Sequence, residues 1–471
     1  MVILGLGGAP VFFDPDTAWH LAAGDLIRTA HRIPFADSWS YTAEGEIWYN
    51  LSWLFDLGLS ALFRIGSFSA VYAATIITFA ACIAFMATHC IRRGADHLSV
   101  LLLLFPVAMV VFTGTLARPN MCSVVLTLTF YLLLQQYRVT GKLFYLAPLP
   151  VLMALWVNLH GGFLFAFVLF ALFMLPALLD KDRRMLREYG MIAALCLLAT
   201  LVNPYGFGIY YGAYRTLAAP FSHMLIEWEP VEVGHNLPVT LLLAIFLCTA
   251  NLTDKKIPLP DRVLALFVIL LSLSSLRHSI LASILLMPYL SLRLSAIAAT
   301  NPSWKRIEHA IAGDMQKHDI RALAWILAAA GCLLMYSPYP RDAILKEPAG
   351  FPAKRFPAAE AAYVVDRYPQ TRFFTDYNIG GYLDYLWRGR VKVFVDGRAN
   401  SLYSDTLLAD YKDFAEYHGF GGKAHMVEEK YGFNGLIIAN EEGKQALWDW
   451  NPEWKLVYRG KAASVYIRQK Q

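Results

Sequence analysis

Two carboxylates lie close together near the start of the chain, in the segment Asp14-Pro15-Asp16. In extended backbone, residues two positions apart project to the same face, and Pro15 biases Asp14 toward that backbone. Such a pair can hold a proton or a cation. A carboxylate in low-dielectric surroundings also has the raised pKa that suits a general base. The segment is therefore a candidate catalytic site.

The alternative interpretation of the same segment is structural. Asp14 would cap a helix with Pro15 in its first position, and the helix would run to about Ala30 with Asp16 and His20 on one polar face. Its apolar face would lie flat at a membrane interface and consists of Trp19, Ala22, Ala23, Leu26, Ile27 and Ala30. The two interpretations are compatible, because one carboxylate can cap the helix while the other acts in catalysis.

Cationic and amide side chains lie at short junctions between apolar segments. Arg118 precedes a proline in a tight turn, where an arginine either extends to the membrane interface or clamps a phosphate. Asn158 and His160 precede two glycines, which permit close approach. Arg277-His278 separates two apolar runs, and charge at membrane depth usually faces a cavity or a partner. Cations suit a lipid phosphate, and aromatic rings with carboxylates suit a sugar. Together these residues indicate a polyprenyl-phosphate-linked sugar as substrate.

The composition is that of a membrane protein. Hydrophobic residues make up 57% of the 471 residues and charged residues 16%, against about 25% in a typical soluble domain. The net charge of +5 gives no basic footprint for nucleic acid. All six cysteines lie in apolar segments without metal-ligand spacing, so we expect them to be small core residues.

The apolar runs predict about eleven membrane helices. Residues 1–13 are too short to span and are expected to be the end of a first helix whose start is missing. The others are predicted near 68–90, 98–116, 120–137, 143–157, 161–179, 190–203, 237–252, 262–276, 279–297 and 321–337. This gives a membrane domain over residues 1–337, with a first external loop over 14–66 that carries interfacial helices, and a soluble domain over 338–471.

Basic residues alternate between loops and so predict the orientation. They collect in every second loop, which places those loops in the cytoplasm. The basic loops contain Arg92, Arg93, Arg138, Lys142, Lys181, Arg183, Arg184, Arg187, Lys255, Lys256, Arg262, Arg293, Lys305, Arg306, Lys317 and Arg321. The intervening loops and the C-terminal domain are then external, and so are the candidate site residues.

The C-terminal tail has an α/β pattern. Strands are predicted at 372–376, 391–395 and 435–439, with a hairpin near 455–468 and a turn at 378–381 before a short helix. Helices are predicted near 404–418 and 423–431. Alternating strands and helices favour a small, mostly parallel sheet. Asp396 and Arg398 follow the second strand, at a strand end where a functional site would be expected, but a turn and a salt bridge are the favoured roles.

The order and sidedness of these motifs resemble the GT-C superfamily of integral membrane glycosyltransferases. The similarity is greatest to bacterial relatives of the dolichyl-phosphate-mannose protein mannosyltransferases and of the aminoarabinose lipid A transferase. It covers roughly residues 1–300. The motifs that carry it are Asp14-Pro15-Asp16, Gly24, Pro34, Asp37, the stretch 48–56, Arg118-Pro119, the stretch 158–162, Asn203-Pro204-Tyr205-Gly206 and Arg277-His278.

The resemblance implies an inverting glycosyl transfer in the cell envelope. An acid of the first external loop, Asp14 or Asp16, deprotonates an acceptor hydroxyl, which attacks the anomeric carbon opposite the lipid phosphate. His20, Arg118, Asn158, His160, Arg277 and His278 are then candidate contacts of the phosphate or sugar. The resemblance also implies a polyprenyl-phosphate sugar donor, a glycan, lipid or protein acceptor, and lipid contacts in a bacterial inner membrane. Some members use a divalent metal, so a Mg or Mn ion is a possible cofactor.

Three other functions are considered beside the transferase. A polymerase or ligase of lipid-linked oligosaccharide shares the architecture but needs no acidic base after the first helix. A non-catalytic scaffold would bind glycan through its external tail. A transporter would place charges deep in its helices and show inverted repeats, and the sequence has neither feature.

Overall fold

A computed structural model of the protein describes residues 14–113, 116–218, 228–250, 252, 257–315, 351, 353–416, 418–440 and 444–469. The α-helices are α1 Pro15–Ala30, α2 Trp53–Arg92, α3 His97–Thr113, α4 Asn120–Thr140, α5 Leu149–Leu159, α6 Phe165–Leu179, α7 Arg183–Ala199, α8 Gly208–Ala218, α9 Leu237–Thr249, α10 Leu259–Ser274, α11 Ser279–Ala298, α12 Pro302–Met315, α13 Ala358–Arg367, α14 Tyr377–Trp387, α15 Ala399–Leu402, α16 Asp405–Glu416, α17 Gly421–Tyr431 and α18 Lys444–Trp450. Short 3₁₀ turns lie at Leu143–Tyr145, Gly161–Leu164 and Leu276–His278. The strands are β1 Phe373–Thr375, β2 Gly435–Ala439, β3 Trp454–Arg459 and β4 Ala463–Arg468.

The apolar segments form helices, as predicted. Among the described residues, three helical stretches are long and apolar enough to cross a membrane: Trp53–Arg92, Gly161–Leu179 and Leu276–Ala298. The first of these has non-helical backbone at Gly66 and Ser67. The predicted first helix over residues 1–13 and the predicted helix over 321–337 lie outside the described residues, as does the predicted domain boundary at residue 337. The total of eleven membrane helices stays a prediction.

The chain divides into two compact units. The first unit contains the described residues within Met1–Val71, Pro204–Ser222 and Tyr336–Gln471. The second contains those within Tyr72–Asn203 and His223–Met335. The first loop, the segment after Asn203 and the C-terminal domain therefore belong to one unit, and the apolar helices dominate the other.

The sheet of the C-terminal domain is mixed, which corrects the prediction of a mostly parallel sheet. Its strand order is β1-β2-β4-β3, with β1 and β2 parallel and the other pairs antiparallel. The predicted strand at 391–395 is not in the sheet. Val393 instead accepts a hydrogen bond from Tyr41 N (3.2 Å) and donates one to Trp39 O (3.0 Å). The backbone of Val393 bonds to the first loop and Phe394 N donates to the side chain of Thr375, so this segment does not join the backbone ladder of the sheet.

The predicted turn at 378–381 is the first part of helix α14. Asp376 caps this helix by accepting a hydrogen bond from Asn378 N at 3.0 Å, so the glycines lie inside the helix. Both glycines are needed for close packing. A Cβ at Gly381 would lie 2.9 Å from Trp19 Cδ1, and a Cβ at Gly380 would overlap the Val395 carbonyl oxygen. Gly381 lets α14 pack directly on α1, and Gly380 lets it pack on the backbone at Val395.

The other predicted tail elements are present. Strands β1 and β2, the β3–β4 hairpin, and helices α16 and α17 lie where the pattern predicted them. Apolar side chains of β1, β2 and β4 build a core with α13, α14 and the segment 391–393. This core contains Ala361, Val364, Phe373, Ile379, Leu383, Trp387, Val391, Val393, Ile437, Ala463 and Val465.

Candidate functional site

Asp14 caps helix α1, as the structural interpretation of its segment predicted. Its backbone is extended, with φ −83° and ψ 115°, and Pro15 occupies the first turn. The carboxylate accepts hydrogen bonds from Asp16 N at 3.2 Å and from Thr17 Oγ1 at 2.9 Å. The residue is only 2% exposed. Asp14 therefore fixes where the helix begins.

Asp16 lies one position into the same helix and stays partly exposed. Its Oδ1 accepts a hydrogen bond from the indole Nε1 of Trp19 at 3.2 Å. The C-terminal domain reaches the same place, because a Cβ at Gly397 would overlap Asp16 Oδ1 and lie 2.6 Å from Trp19 Nε1. The backbone at Gly397 therefore forms one wall against this carboxylate, and only glycine leaves room for it.

His20 does not share an exposed polar face with Asp16, which corrects that part of the helix prediction. It is 3% exposed, and its Nδ1 lies 2.6 Å from Asp56 Oδ1. Asp56 is fully buried and accepts a second hydrogen bond from Asn50 Nδ2 at 2.7 Å. The indole of Trp19 stacks on the His20 ring at 3.6 Å between centroids. These contacts tie α1 to the start of α2.

Arg398 is the centre of a buried charge cluster in the first unit. Its guanidinium binds Asp396 through two hydrogen bonds of 2.9 and 2.7 Å and pairs with Asp37 Oδ1 at 2.7 Å. The indole rings of Trp39 and Trp48 lie on the guanidinium, each with its centroid 4.8 Å away. The predicted Asp396–Arg398 salt bridge is confirmed. The cluster also links the C-terminal domain to the first loop.

The cluster contains three carboxylates around one arginine, so its protonation matters. Burial alone would raise the pKa of Asp396, but the Arg398 charge and the hydrogen bonds of Arg398 and Tyr403 lower that pKa below its usual range. Asp384 is the third carboxyl group of the cluster and interacts with Asp396. Burial, with the negative charge of Asp396, raises the pKa of Asp384 well above its usual range. Of these two carboxyl groups, Asp384 therefore favours the protonated form and Asp396 the ionised form.

Replacing Asp384 or Asp396 by asparagine should therefore change the stability of the fold in opposite directions. Asp384→Asn keeps a hydrogen-bond donor next to Asp396. Because the pKa of Asp384 is raised in the folded state, this carboxyl destabilises the fold as the pH rises above its unfolded pKa. Removing it should therefore leave the thermal stability at pH 7 unchanged or raise it. Asp396→Asn leaves Arg398 with a weakened partner and should lower stability by about 2–4 kcal/mol. Thermal unfolding of the two full-length variants checks this. Equal losses would show that both carboxyl groups are ionised.

The motif Asn203-Pro204-Tyr205-Gly206 leads into a segment that packs on the first loop. The hydroxyl of Tyr205 accepts a hydrogen bond from Asn50 N at 3.0 Å. Beyond it, a Cβ at Gly212 would lie 2.8 Å from Tyr49 Cβ, and Arg215 Nη2 donates to Tyr403 O at 2.6 Å. This segment therefore supports both the first loop and the C-terminal domain.

The remaining predicted site residues lie at helix junctions of the second unit. Asn158 Nδ2 donates to Ala154 O and to Val202 O, both at 2.7 Å. His160 caps the turn Gly161–Leu164, because its Nδ1 accepts from Gly162 N at 3.1 Å. The same Nδ1 lies 2.6 Å from Ser123 Oγ. Both residues therefore hold their junction together.

Arg118 and the Arg277-His278 pair lie at two other junctions. Arg118 is partly exposed just before α4, and its carbonyl accepts from Met121 N at 3.1 Å. The Arg277 guanidinium lies 4.8 Å from the ring centroid of Trp228. His278 follows it in the turn between α10 and α11, and its Nδ1 is buried without a hydrogen-bond partner among the described residues. Arg118 and Arg277 both carry a positive charge and are both partly exposed, so a ligand can reach them.

Among the described residues, one group of three side chains has metal-ligand chemistry: His425, Glu428 and Glu453. The guanidinium of Arg468 already forms ion pairs with both carboxylates. A resident cation of this kind offsets the charge that would attract a metal. Asp14 and Asp16 are not part of this group, so a divalent metal at the acidic pair stays a prediction.

Sequence reasoning missed the long-range partners of these motifs. It did not pair Arg398 with Asp37, Asp56 with His20, or Gly397 with Asp16. Arg355 was also overlooked; burial lowers the pKa of its guanidinium, and the nearby charge of Asp14 raises it. The tryptophans Trp39 and Trp48, which follow the loop acid Asp37, were the available clue, because an arginine commonly stacks on such rings.

Solved structures share this fold across nearly the whole chain. ArnT from Cupriavidus metallidurans bound to undecaprenyl phosphate superposes with a TM-score of 0.53 at 11% identity, covering 99% of this chain and 96% of that one. The apo oligosaccharyltransferase of Archaeoglobus fulgidus gives 0.55 at 13% identity, covering 99% and 71%. AglB from the same organism, with an inhibitory peptide and dolichol-phosphate, gives 0.55 at 13%, covering 92% and 66%. No family model and no curated protein matches the sequence.

Proposed function

Because the chain has the fold of the GT-C superfamily of membrane glycosyltransferases, we propose that it transfers one sugar from a polyprenyl-phosphate donor to an acceptor outside the cytoplasm. The predicted resemblance to this superfamily is confirmed at the level of the fold. The observation that carries the proposal is the carboxylate of Asp16 at the start of α1, against which the C-terminal domain packs at Gly397. The membrane is a bacterial inner membrane in this proposal, with the C-terminal domain on its outer side.

Asp16 is the proposed general base. A base must reach the acceptor hydroxyl, and Asp16 is partly exposed, whereas Asp14 is buried and bonded at both carboxylate oxygens. Asp16 removes the proton of the acceptor hydroxyl as that oxygen bonds to the anomeric carbon. The bond from this carbon to the phosphate oxygen breaks on the opposite face, which inverts the anomeric configuration. The products are the glycosylated acceptor and polyprenyl phosphate.

Basic residues stabilise the leaving phosphate in this proposal. Arg118 and Arg277 are the proposed contacts in the second unit, since both carry a charge at a helix junction. Asn158 and His160 are proposed to support the site because they hold their own junction together, and His278 stays a proposed contact of the phosphate or sugar. In the first unit, Arg355 adds a positive charge. The nearby Asp14 carboxylate raises the pKa of its guanidinium, which burial lowers. ArnT was solved with undecaprenyl phosphate, which supports a lipid-phosphate donor here.

The test is the envelope glycan profile of a deletion host and of the same host carrying the wild-type gene. We expect mass spectrometry to show one glycan that loses a single sugar on deletion and regains it on complementation. Loss of a whole oligosaccharide block would favour the polymerase or ligase function. Glycans that stay unchanged in composition while the acceptor is mislocalised would favour the scaffold.

Gly397 provides a test of how the C-terminal domain positions Asp16. Gly397→Ala inserts a methyl group against Asp16 Oδ1 and Trp19 Nε1, so the carboxylate must move. We expect sugar transfer to fall about 10- to 100-fold, because small displacements of a reacting group are costly. Gly422→Ala is the matched control, since nothing lies within 4 Å of a Cβ there. Equal activity of both variants would remove Gly397 from the site.

A further inference from the structure

A large cavity lies in the second unit between α2 and α4. Its volume is about 650 Å³, enough for a lipid acyl chain. Its wall is formed mainly by short or apolar side chains, including Ala84, Phe85 and Val139. Phe85 is 65% exposed and Val139 is 74% exposed, so the cavity opens to the surroundings of the helices.

One end of this groove is strongly basic. Arg92, Arg93 and Arg138 line it, and no carboxylate is among the described lining residues. Arg93 is neutralised by Asp261, with Nη2 to Oδ2 at 2.6 Å. Arg138 donates only to the amide oxygen of Gln135, at 3.0 and 3.1 Å. Among the described residues, neither Arg92 nor Arg138 forms an ion pair. Two guanidinium charges therefore remain for a ligand.

A buried polar atom adds a third recognition element. His89 lines the same cavity, is 9% exposed, and its Nε2 has no hydrogen-bond partner among the described residues. Its ring packs edge-on against Tyr131, with centroids 5.8 Å apart, which fixes its orientation. An orphaned ring nitrogen beside two arginines suits an oxygen-rich headgroup rather than a hydrocarbon.

We propose that this groove binds one anionic phospholipid, with its phosphate at Arg92 and Arg138 and an acyl chain along the apolar wall. Arginine forms bidentate hydrogen bonds with phosphate, and basic pockets between membrane helices suit anionic headgroups. A zwitterionic headgroup carries its own cation, which would oppose both arginines. The basic loops are predicted to be cytoplasmic, so this site belongs to the leaflet opposite the proposed transfer chemistry.

The test compares lipid binding by purified, delipidated full-length protein. Native mass spectrometry would measure retention of phosphatidylglycerol and phosphatidylcholine by wild type, Arg92→Gln/Arg138→Gln, and the control Arg183→Gln/Arg187→Gln. The control removes the same charge from exposed positions on α7. We expect phosphatidylglycerol to bind wild type and control alike and to bind the groove variant about twenty-fold more weakly. Phosphatidylcholine should bind all three weakly.

A second variant tests the acyl-chain wall without changing charge. Ala84→Phe fills the groove and should reduce phosphatidylglycerol retention while leaving the arginines in place. Unchanged retention in both groove variants, or equal retention of the two phospholipids, would overturn the proposal. So would preferential binding of polyprenyl phosphate that the arginine substitutions abolish, because the groove would then belong to the donor.

Discussion

Asp16→Asn is expected to lower sugar transfer by about 100- to 10,000-fold while the protein still folds and reaches the membrane. The amide cannot accept the proton of the acceptor hydroxyl, yet it preserves the size of the side chain and an oxygen for the Trp19 Nε1 hydrogen bond. The measurement is the initial rate of sugar transfer by purified variant and wild type, at matched amounts of folded protein.

Asp14→Asn is the matched control for that loss. Asparagine caps helices about as well as aspartate, so α1 should keep its start and its position. We expect this variant to retain transfer within a few-fold of wild type. If Asp14→Asn abolishes transfer and Asp16→Asn does not, the base is Asp14 and its capping bonds must open during the reaction.

Arg398→Met is expected to destabilise the first unit by about 3–5 kcal/mol, because it leaves the Asp37 and Asp396 carboxylates buried without their cation. The cluster joins the first loop to the C-terminal domain, so both should loosen together. The full-length variant should show a thermal midpoint lowered by about 10 °C and faster proteolysis within 351–469.

The control for the charge cluster is Arg459→Met. Arg459 pairs with Asp449 at 2.5 and 2.6 Å, but both side chains are substantially exposed, at 44% and 29%. Surface pairs of this kind contribute about 0–1 kcal/mol, so its thermal midpoint should stay near that of wild type. Similar shifts for both variants would mean that the buried cluster is no more important than a surface ion pair.

Local patterns predicted much of the fold. Asp14 and Pro15 predicted the start of α1, and the apolar runs predicted the helices. Both predictions succeeded because each pattern depends on residues that are close in sequence. The Asp396–Arg398 salt bridge was predicted for the same reason. The short apolar run Gly435–Ala439 predicted β2 with its observed bounds.

Pairings between distant segments decided the rest. The segment 391–395 has the composition of a strand, but the backbone of Val393 at its centre bonds to Trp39 and Tyr41, which no local pattern indicates. The position of Asp16 depends likewise on Gly397, and the buried state of His20 depends on Asp56. The sequence thus indicated candidate residues for catalysis, while tertiary contacts distinguish the helix cap Asp14 from the proposed base Asp16.

The most direct test of the account is a transfer assay with purified protein. The donor is the polyprenyl-phosphate sugar pool extracted from deletion cells, and the acceptor is the envelope fraction of the same cells. The account predicts that wild type moves a single sugar to the acceptor and releases one polyprenyl phosphate per transfer, and that Asp16→Asn does neither. The account would be contradicted if the lipid-linked sugar stays intact after incubation with folded wild-type protein. Release of polyprenyl diphosphate instead of polyprenyl phosphate would also contradict it.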